Sequence, residues 1–169
     1  MEISTEIFDI TQFVPITESD LKPGDVYLHR EMQWFVSEVN GHAVYMPLNG
    51  GAPALHMAEF RGHARTVHRL ARGLSFRLRP LSEIHAVAGR ENMHGMGACF
   101  NGLKDDDGGV VVCASLGSGR DPGRVGVFLG TGRAEFHDER INTCFEAWRA
   151  EWLNEHREVV FAVTRKPAE

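Results

Sequence analysis

The chain has 169 residues, of which 43% are apolar and 24% are charged, and its formal net charge is −5 at pH 7. This is the composition of one ordinary globular domain or two small lobes, and it excludes a disordered chain. The negative charge disfavours a generic DNA-binding protein, and no apolar run approaches the ~18 residues of a membrane span. The acidic N-terminal residues lack the apolar region of a secretory signal, so we expect a soluble cytoplasmic protein that makes no membrane contact.

Turn signals in the first third of the chain predict β-structure. A short strand around residues 10–16 is restricted to a sheet edge, because Pro15 has no amide hydrogen to donate. Residues 25–48 then read as a β-meander that begins after the turn Pro23-Gly24. Within it, Asn40-Gly41 predicts a tight hairpin, since a type I′ turn needs a positive φ at both positions. The three predicted strands are Val26–Leu28, Gln33–Val39 and Ala43–Leu48.

The meander carries a resemblance to a known class of proteins. The motifs are Pro23-Gly-Asp-Val-Tyr-x-His, then Trp34-Phe-Val-x-x-Val, then a tight turn and Val44-Tyr-x-x-Leu-x-Gly-Gly. Their spacing resembles that of the small SH3-like barrel proteins of bacterial and prophage genomes. The resemblance covers residues 22–60 and consists only of a spacing of turns and strands. It implies a small barrel with a binding or accessory role, and it transfers no catalytic residue.

Residues 53–72 fit a helix, with Pro53 in its first turn and Gly73 at its C-terminal stop. Gly62 in the middle would destabilise such a helix by about 1 kcal/mol relative to Ala, which weakens this interpretation. A strand over 54–58 followed by a loop is the alternative. The apolar residues at helical spacing are Phe60, Ala64, Val67 and Ala71. After this segment, Ser75–Leu81 alternates apolar residues with arginines, which predicts a half-exposed strand.

The second half of the chain is predicted to form a hairpin, a helix and a last strand. Val110–Cys113 is a short apolar run, and Val125–Leu129 is its expected partner. Residues from Asp138 to His156 are predicted to form an amphipathic helix, and Val159–Thr164 a strand. The helix prediction depends on one apolar stripe at i, i+4, i+7 and i+11, formed by Ile141, Phe145, Trp148 and Trp152.

These elements predict an α+β fold. Residues 1–85 would form an N-terminal lobe, an antiparallel β-meander or small barrel that carries a basic helix. Residues 99–169 would form a C-terminal lobe, a β-hairpin packed on one amphipathic helix. Residues 86–98 would connect them, and one continuous domain with a shared core is the alternative.

Arginines are concentrated in one segment. Between Phe60 and Ser82 there are six arginines and no Asp or Glu, so the segment carries +6 and the rest of the chain −11. On a helix most of these arginines share one face, which predicts docking on phosphates or on an acidic protein surface. A solvated face that balances the chain's own acidic groups is the alternative. The predicted binding residues are Arg61, Arg65, Arg69, Arg72, Arg77 and Arg79.

Two glycine-rich turns offer a second candidate for anion binding. Leu116-Gly-Ser-Gly-Arg120 and Leu129-Gly-Thr-Gly-Arg133 each follow a predicted strand. Amide groups in such turns can form an anion nest beside Arg120 or Arg133, although glycine is common in hairpin turns for conformational reasons alone. Neither turn is a Walker loop or a dinucleotide fingerprint, because the lysine and the third glycine are missing.

Cysteine chemistry and metal binding have weaker signals. Cys99 and His137 are candidates for a nucleophile and its base if the fold brings them together. Three cysteines without regular spacing argue against a disulfide framework or a zinc knuckle. On the predicted helices the histidines form no His-x-x-x-His or Glu-x-x-His motif, so we expect no metal site and no cofactor.

The predicted function is that of a non-catalytic binding or accessory protein, such as a phage-encoded inhibitor. Its arginine-rich face would dock on an acidic protein surface or a nucleoprotein, with nucleic acid itself as a further partner. The alternatives are a small enzyme, either a Cys/His hydrolase or a transferase that uses the Gly-Arg loops, and a structural phage component.

Overall fold

The protein is built almost entirely from antiparallel β-strands. The computed structural model describes residues 2–49, 54–57, 65–83, 85–86, 99–102, 110–116, 123–136, 141–145 and 147–166. The first eight strands are β1 (Glu2–Ile7), β2 (Phe13–Thr17), β3 (Val26–His29), β4 (Met32–Val39), β5 (His42–Pro47), β6 (Ala54–Met57), β7 (Thr66–Leu70) and β8 (Ser75–Pro80). The other eight are β9 (His85–Ala86), β10 (Cys99–Gly102), β11 (Val110–Leu116), β12 (Gly123–Val127), β13 (Ala134–Phe136), β14 (Ile141–Phe145), β15 (Trp148–Leu153) and β16 (Val159–Lys166). Two single 3-10 turns, Ile10–Gln12 and Glu18–Asp20, flank β2.

The strands form two sheets. The smaller has four strands in the order β1-β16-β15-β8, all antiparallel. The larger has twelve strands, ten of them in the order β2-β7-β3-β4-β5-β6-β11-β10-β14-β9, while β12 pairs with β11 and β13. In the larger sheet β6 and β11 are parallel to each other. Strands from 1–85 and from 99–169 therefore share both sheets, and the division into two lobes stays a prediction.

The main apolar cluster lies between the two sheets. Phe13 of β2 meets Phe161 of β16 edge to face, with ring centroids 5.9 Å apart. Trp152 contacts Phe76 and Phe161 at centroid distances of 5.1 and 5.3 Å. A second cluster lies on the opposite face of the larger sheet and contains Tyr27, Val36, Tyr45 and Val67. The side-chain period of two in a strand explains why neighbours in β3, β4 and β5 belong to different clusters.

The predicted β-meander is confirmed. Strands β3, β4 and β5 pair antiparallel in sequence order. Asn40 and Gly41 both have positive φ, 50° and 80°, as the type I′ turn requires. The strand containing Pro15 is β2, which stands at the end of the larger sheet among the described strands. The predicted strands at Ser75–Leu81, Val110–Cys113, Val125–Leu129 and Val159–Thr164 are also present, within a few residues.

The predicted α+β class is wrong. Among the described residues the helical segments are single turns, and no helix there has the length and apolar composition to cross a membrane. The expected amphipathic helix from Asp138 to His156 is instead the two strands β14 and β15. Its apolar spacing was ambiguous, because a separation of four is even and satisfies a strand's period of two as well as a helix turn. Trp148 and Trp152 point to the same side of β15, and the odd step from Phe145 to Trp148 falls between the two strands.

The predicted basic helix over 53–72 is also wrong. Its ends are strands β6 and β7, and residues 58–64 lie outside the described part. The alternative of a strand near 54–58 agrees with β6. Val67 belonged to the predicted helix stripe, but in β7 it faces one side of the sheet while Leu70 faces the other, and the two side chains belong to different clusters. A strand that is buried on both faces lacks the alternation of apolar and polar residues by which a strand is identified in a sequence.

A glycine contact joins the hairpin of β12 and β13 to the start of the meander. Gly132 has φ +81°, and a Cβ at that position would lie 2.0 Å from the amide nitrogen of Gly24. The Gly132 carbonyl accepts hydrogen bonds from the Ser37 hydroxyl at 2.7 Å and from the Glu38 amide at 3.1 Å. The close approach of two backbones therefore requires glycine here.

We expect Gly132→Ala to destabilise the fold more than Gly41→Ala does. Both positions have nearly the same φ, but a Cβ on Gly41 meets nothing within 4 Å. Gly41→Ala should cost about 1 kcal/mol from backbone strain, and Gly132→Ala about 2 kcal/mol more from the clash. Urea denaturation measures both, and equal losses would contradict the close packing of this hairpin.

Candidate functional site

The described members of the arginine segment do not share one face. Arg61 lies outside the described residues. Arg65 directly precedes β7, and Arg69 lies within it. Arg72 is in the turn that follows β7, and Arg77 and Arg79 lie on β8. Since β7 and β8 belong to different sheets, the segment divides into two groups with different surroundings.

Arg65 is held by a buried carboxylate. Its guanidinium binds Glu18 with two nitrogens, Nε to Oε2 and Nη2 to Oε1, the latter at 3.2 Å. Glu18 is 3% exposed, so the pair neutralises a carboxylate that burial would otherwise penalise. Arg65 Nη1 also lies 3.1 Å from His29 Nε2. Burial lowers the pKa of His29, and the charge of Arg65 lowers it further.

Arg72 makes a second such pair. Its Nε and Nη2 donate to Asp25 Oδ1 and Oδ2 at 3.0 and 2.8 Å, and Nη2 also donates to the Asp20 carbonyl. Asp25 is 5% exposed and accepts a hydrogen bond from the Lys22 amide at 2.7 Å. The pair borders a cleft of about 240 Å³ that is also lined by Gly130 and Trp152. One arginine per buried carboxylate leaves no net charge at either site.

Arg69 lies on the outer face of the larger sheet, opposite Tyr27 in the register of β3 and β7. Its Nη1 approaches the Leu70 carbonyl at 3.5 Å, while its Nε and the Tyr27 hydroxyl are buried and have no hydrogen-bond partner among the described residues. Burial, together with the charge of Glu18, raises the pKa of Tyr27. The Arg69 side chain as a whole is half-buried, so it is less accessible to a partner than Arg77 or Arg79.

The second group surrounds a single carboxylate on the outer face of the smaller sheet. Oε1 of Glu151 accepts from Arg77 Nε at 3.1 Å and from Arg79 Nε at 3.0 Å. Oε2 lies 3.4 Å from Arg149 Nε. Arg149 also donates through Nη1 to Glu6 at 2.9 Å and to the Thr164 hydroxyl at 3.0 Å. We call this cluster of Arg77, Arg79, Arg149, Glu151 and Glu6 the arginine face.

The arginine face has more positive than negative charge. Its three guanidinium groups meet two carboxylates, and Glu151 is only 4% exposed. The arginines are more open, since the Arg77 and Arg79 side chains are 42% and 51% exposed. In the described part of the chain, Glu151 is the acidic partner of both. Because about half of each side chain is exposed, its accessible N–H groups can donate to a carboxylate or phosphate.

Opposing effects act on the ionisation of Glu151. Burial alone would raise its pKa. The hydrogen bond from Arg149 and the charges of Arg77 and Arg79 together lower the pKa by more, so it lies below its ordinary value. Glu151 is therefore ionised at neutral pH and holds the three arginines together.

The other predicted sites divide between described and undescribed residues. Arg133 lies over the Phe128 ring, with its guanidinium carbon 4.5 Å from the ring centroid. The amides of Thr131 and Gly132 donate to the Phe128 carbonyl, so they are engaged within the turn, and anion binding at Arg133 stays a prediction. Arg120 and His137 lie outside the described residues. The backbone of Cys99 pairs with Val112 and Phe145 in β10, and its side chain is outside the description.

Sequence reasoning found Arg77 and Arg79 but missed Arg149 and Glu151. The alternation Trp148, Arg149, Ala150, Glu151, Trp152 was the available signal, because its charged members occupy one face of a strand. Interpreting the segment as a helix hid that face. Within the residues that the structure describes, no group of three or more His, Cys, Asp or Glu side chains is placed to hold a metal ion.

Comparison with protein-family models, with curated proteins and with solved structures finds no match to this chain. The resemblance of residues 22–60 to SH3-like barrels stays a prediction.

We expect Glu151→Gln to lower the free energy of unfolding at pH 7 by about 2 kcal/mol, because three arginines lose their shared carboxylate. A depressed pKa stabilises the fold above the ordinary carboxyl value of ~4.3, and that stabilisation is lost as pH falls through the folded-state pKa. The difference between Glu151→Gln and the unchanged protein should therefore shrink below about pH 4. Urea denaturation from pH 3 to 7 measures it.

The matched control is Glu155→Gln, in an exposed turn, which should have little effect at any pH. A constant difference between Glu151→Gln and the unchanged protein across the whole pH range would contradict the role of the charge.

Proposed function

We propose that the protein is a non-catalytic binding protein that docks its arginine face on an acidic surface of a partner. The observation that carries this proposal is the shared carboxylate: three guanidinium groups converge on one buried Glu151. The partner would be an acidic protein or a nucleoprotein. Guanidinium groups bind and orient anions because each presents several N–H donors in one plane.

The way in which each arginine is paired with a carboxylate distinguishes the arginines that we propose for binding from those that stabilise the fold. Arg65 and Arg72 each complete a bidentate pair with a buried carboxylate, so a partner would have to compete with an existing contact. Arg77 and Arg79 instead share one oxygen of Glu151. Arg77 reaches that oxygen through both Nε and Nη2, and neither arginine has a carboxylate oxygen of its own among the described residues. Arg72 is as exposed as Arg77, so the difference lies in the shared oxygen, which favours contact with a further anion.

The position of the cluster on a sheet also supports binding. Arg77 stands opposite Glu151 and Arg79 opposite Arg149 in the register of β8 and β15. A sheet holds these Cα positions rigidly, so the guanidinium groups lose little freedom when an anion binds. The Arg149 side chain is 18% exposed, and its guanidinium carbon lies 5.8 Å from the centroid of the Phe8 ring. Arg149 therefore holds the less exposed side of the cluster in place.

The test measures binding of a labelled ten-residue polyglutamate peptide by fluorescence anisotropy, across a salt series. We expect Kd to rise steeply with salt and the double variant Arg77→Gln/Arg79→Gln to weaken binding about tenfold, from the loss of two partly exposed contacts. Labelled duplex DNA is measured in parallel, because a nucleoprotein partner would offer phosphates to the same arginines.

The matched control is Arg30→Asn/Arg157→Asn. It removes the same charge from two exposed turns whose φ values, 55° and 61°, suit asparagine. Thermal melts monitor whether each variant keeps its fold. If both double variants weaken binding equally, net charge alone explains the affinity and the arginine face is not the binding site.

A further inference from the structure

Strand β8 leaves one backbone edge of the smaller sheet without a described partner. It stands at the end of the order β1-β16-β15-β8, and no other described strand pairs with it. Its residues are exposed or half-buried along their whole length, and Leu81 beyond its end is 46% exposed. The arginine face is thus continuous with a sheet edge.

The register shows which backbone groups of β8 point away from the sheet. The Leu81 amide donates to the Ala147 carbonyl at 2.8 Å, which makes these two residues a hydrogen-bonded pair. Hydrogen-bonded and non-hydrogen-bonded pairs alternate along an antiparallel ladder. The backbone amide and carbonyl groups of Arg79 and Arg77 therefore point toward β15. The amides and carbonyls of Phe76 and Leu78 therefore point outward from the free edge, as does the Pro80 carbonyl.

The side chains along this edge alternate between charged and apolar. Arg77 and Arg79 lie on the outer face, beside Glu151. Phe76 and Leu78 lie on the inner face, where they are half-buried and pack against the main apolar cluster. A strand added beside β8 would place its own alternate side chains next to these two rows.

We propose that an extended, acidic segment of a partner protein adds to β8 as a fifth strand of the smaller sheet. This inference rests on the proposed function and names the form of its partner. Backbone hydrogen bonds to Phe76 and Leu78 hold the segment, as in other cases of strand addition. Carboxylates at alternate positions contact Arg77 and Arg79, and the apolar residues between them contact Phe76 and Leu78.

Charge selects this occupant over another copy of the same edge. Two β8 strands side by side would bring four arginines together, which repels them, and charged residues commonly keep sheet edges from self-association. An acidic strand meets the opposite charge. Pro80 closes one end of the edge, because it has no amide hydrogen to offer.

The experiment uses three labelled peptides of the same sequence, Val-Glu-Val-Glu-Val-Glu-Val. One is unmodified, one is N-methylated at every glutamate, and one is N-methylated at every valine. N-methylation removes backbone donors and leaves all carboxylates in place. Because the change is made in the peptide, the fold of the protein is not altered. Anisotropy gives Kd, and NMR hydrogen exchange follows the amides of Phe76 and Leu78.

We expect the unmodified peptide to bind at least tenfold more tightly than one of the N-methylated forms. We also expect it to slow exchange at Phe76 and Leu78 at least tenfold, whereas Arg77 and Arg79 are already bonded to β15 and should change little. Sedimentation of the protein alone should show no self-association through this edge.

If all the peptides bind equally and the Arg77→Gln/Arg79→Gln variant weakens them equally, strand addition is wrong and the proposed function still stands. If no acidic peptide binds while duplex DNA does, or if a second copy occupies the edge, the inference is overturned. If neither the peptides nor polyglutamate nor DNA bind, both proposals fail.

Discussion

The buried carboxylate of Glu151 constrains the smaller sheet more than any other single group. An ionised carboxylate that is 4% exposed is stable only with cations beside it, since its burial alone costs several kcal/mol. Those cations come from Arg149 on the same strand and from Arg77 and Arg79 on the neighbouring one. The period of two then directs Phe76 and Leu78 of β8 into the apolar cluster. One electrostatic requirement thus sets the register, the orientation and the charge of the edge strand.

The larger sheet meets the same requirement differently. Its two buried carboxylates, Glu18 and Asp25, each have one bidentate arginine, from residues that precede and follow β7. At Glu18 and Asp25 one arginine neutralises one carboxylate and ties a turn to the sheet, so no charge remains. At Glu151 three arginines contact one buried carboxylate, so positive charge remains. Within the +6 segment, Arg65 and Arg72 therefore balance the chain's own acidic groups. Arg77 and Arg79 contribute to an exposed cluster, and its docking on a partner stays a proposal.

Turn chemistry was predictable from the sequence, whereas strand pairing across long separations was not. Asn40-Gly41 and Pro23-Gly24 specify local φ values, and the meander follows from them. The predicted helix over 138–156 was wrong because spacings of four satisfy both periods, and the partners β8 and β16 give the Trp148–Trp152 segment its extended form. The predicted helix over 53–72 was wrong because β7 is buried on both faces, so its apolar residues do not alternate with polar ones. The arginine face joins residues more than 70 positions apart, so composition pointed to Arg77 and Arg79 but could not reveal the carboxylate that they share.

The choice of arginine over lysine matters at this edge, although 15 of the 18 basic residues are arginine throughout the chain. A lysine ammonium is a compact charge that one carboxylate neutralises. A guanidinium is planar and has five donors, so Arg77 binds Glu151 through Nε and Nη2, Arg79 binds it through Nε, and each keeps further N–H donors for another anion. Because Glu151 fixes the planes of these groups before any partner arrives, an acidic strand would meet preoriented donors. The interaction that stabilises the isolated sheet therefore also orients the guanidinium groups that the proposed partner would contact.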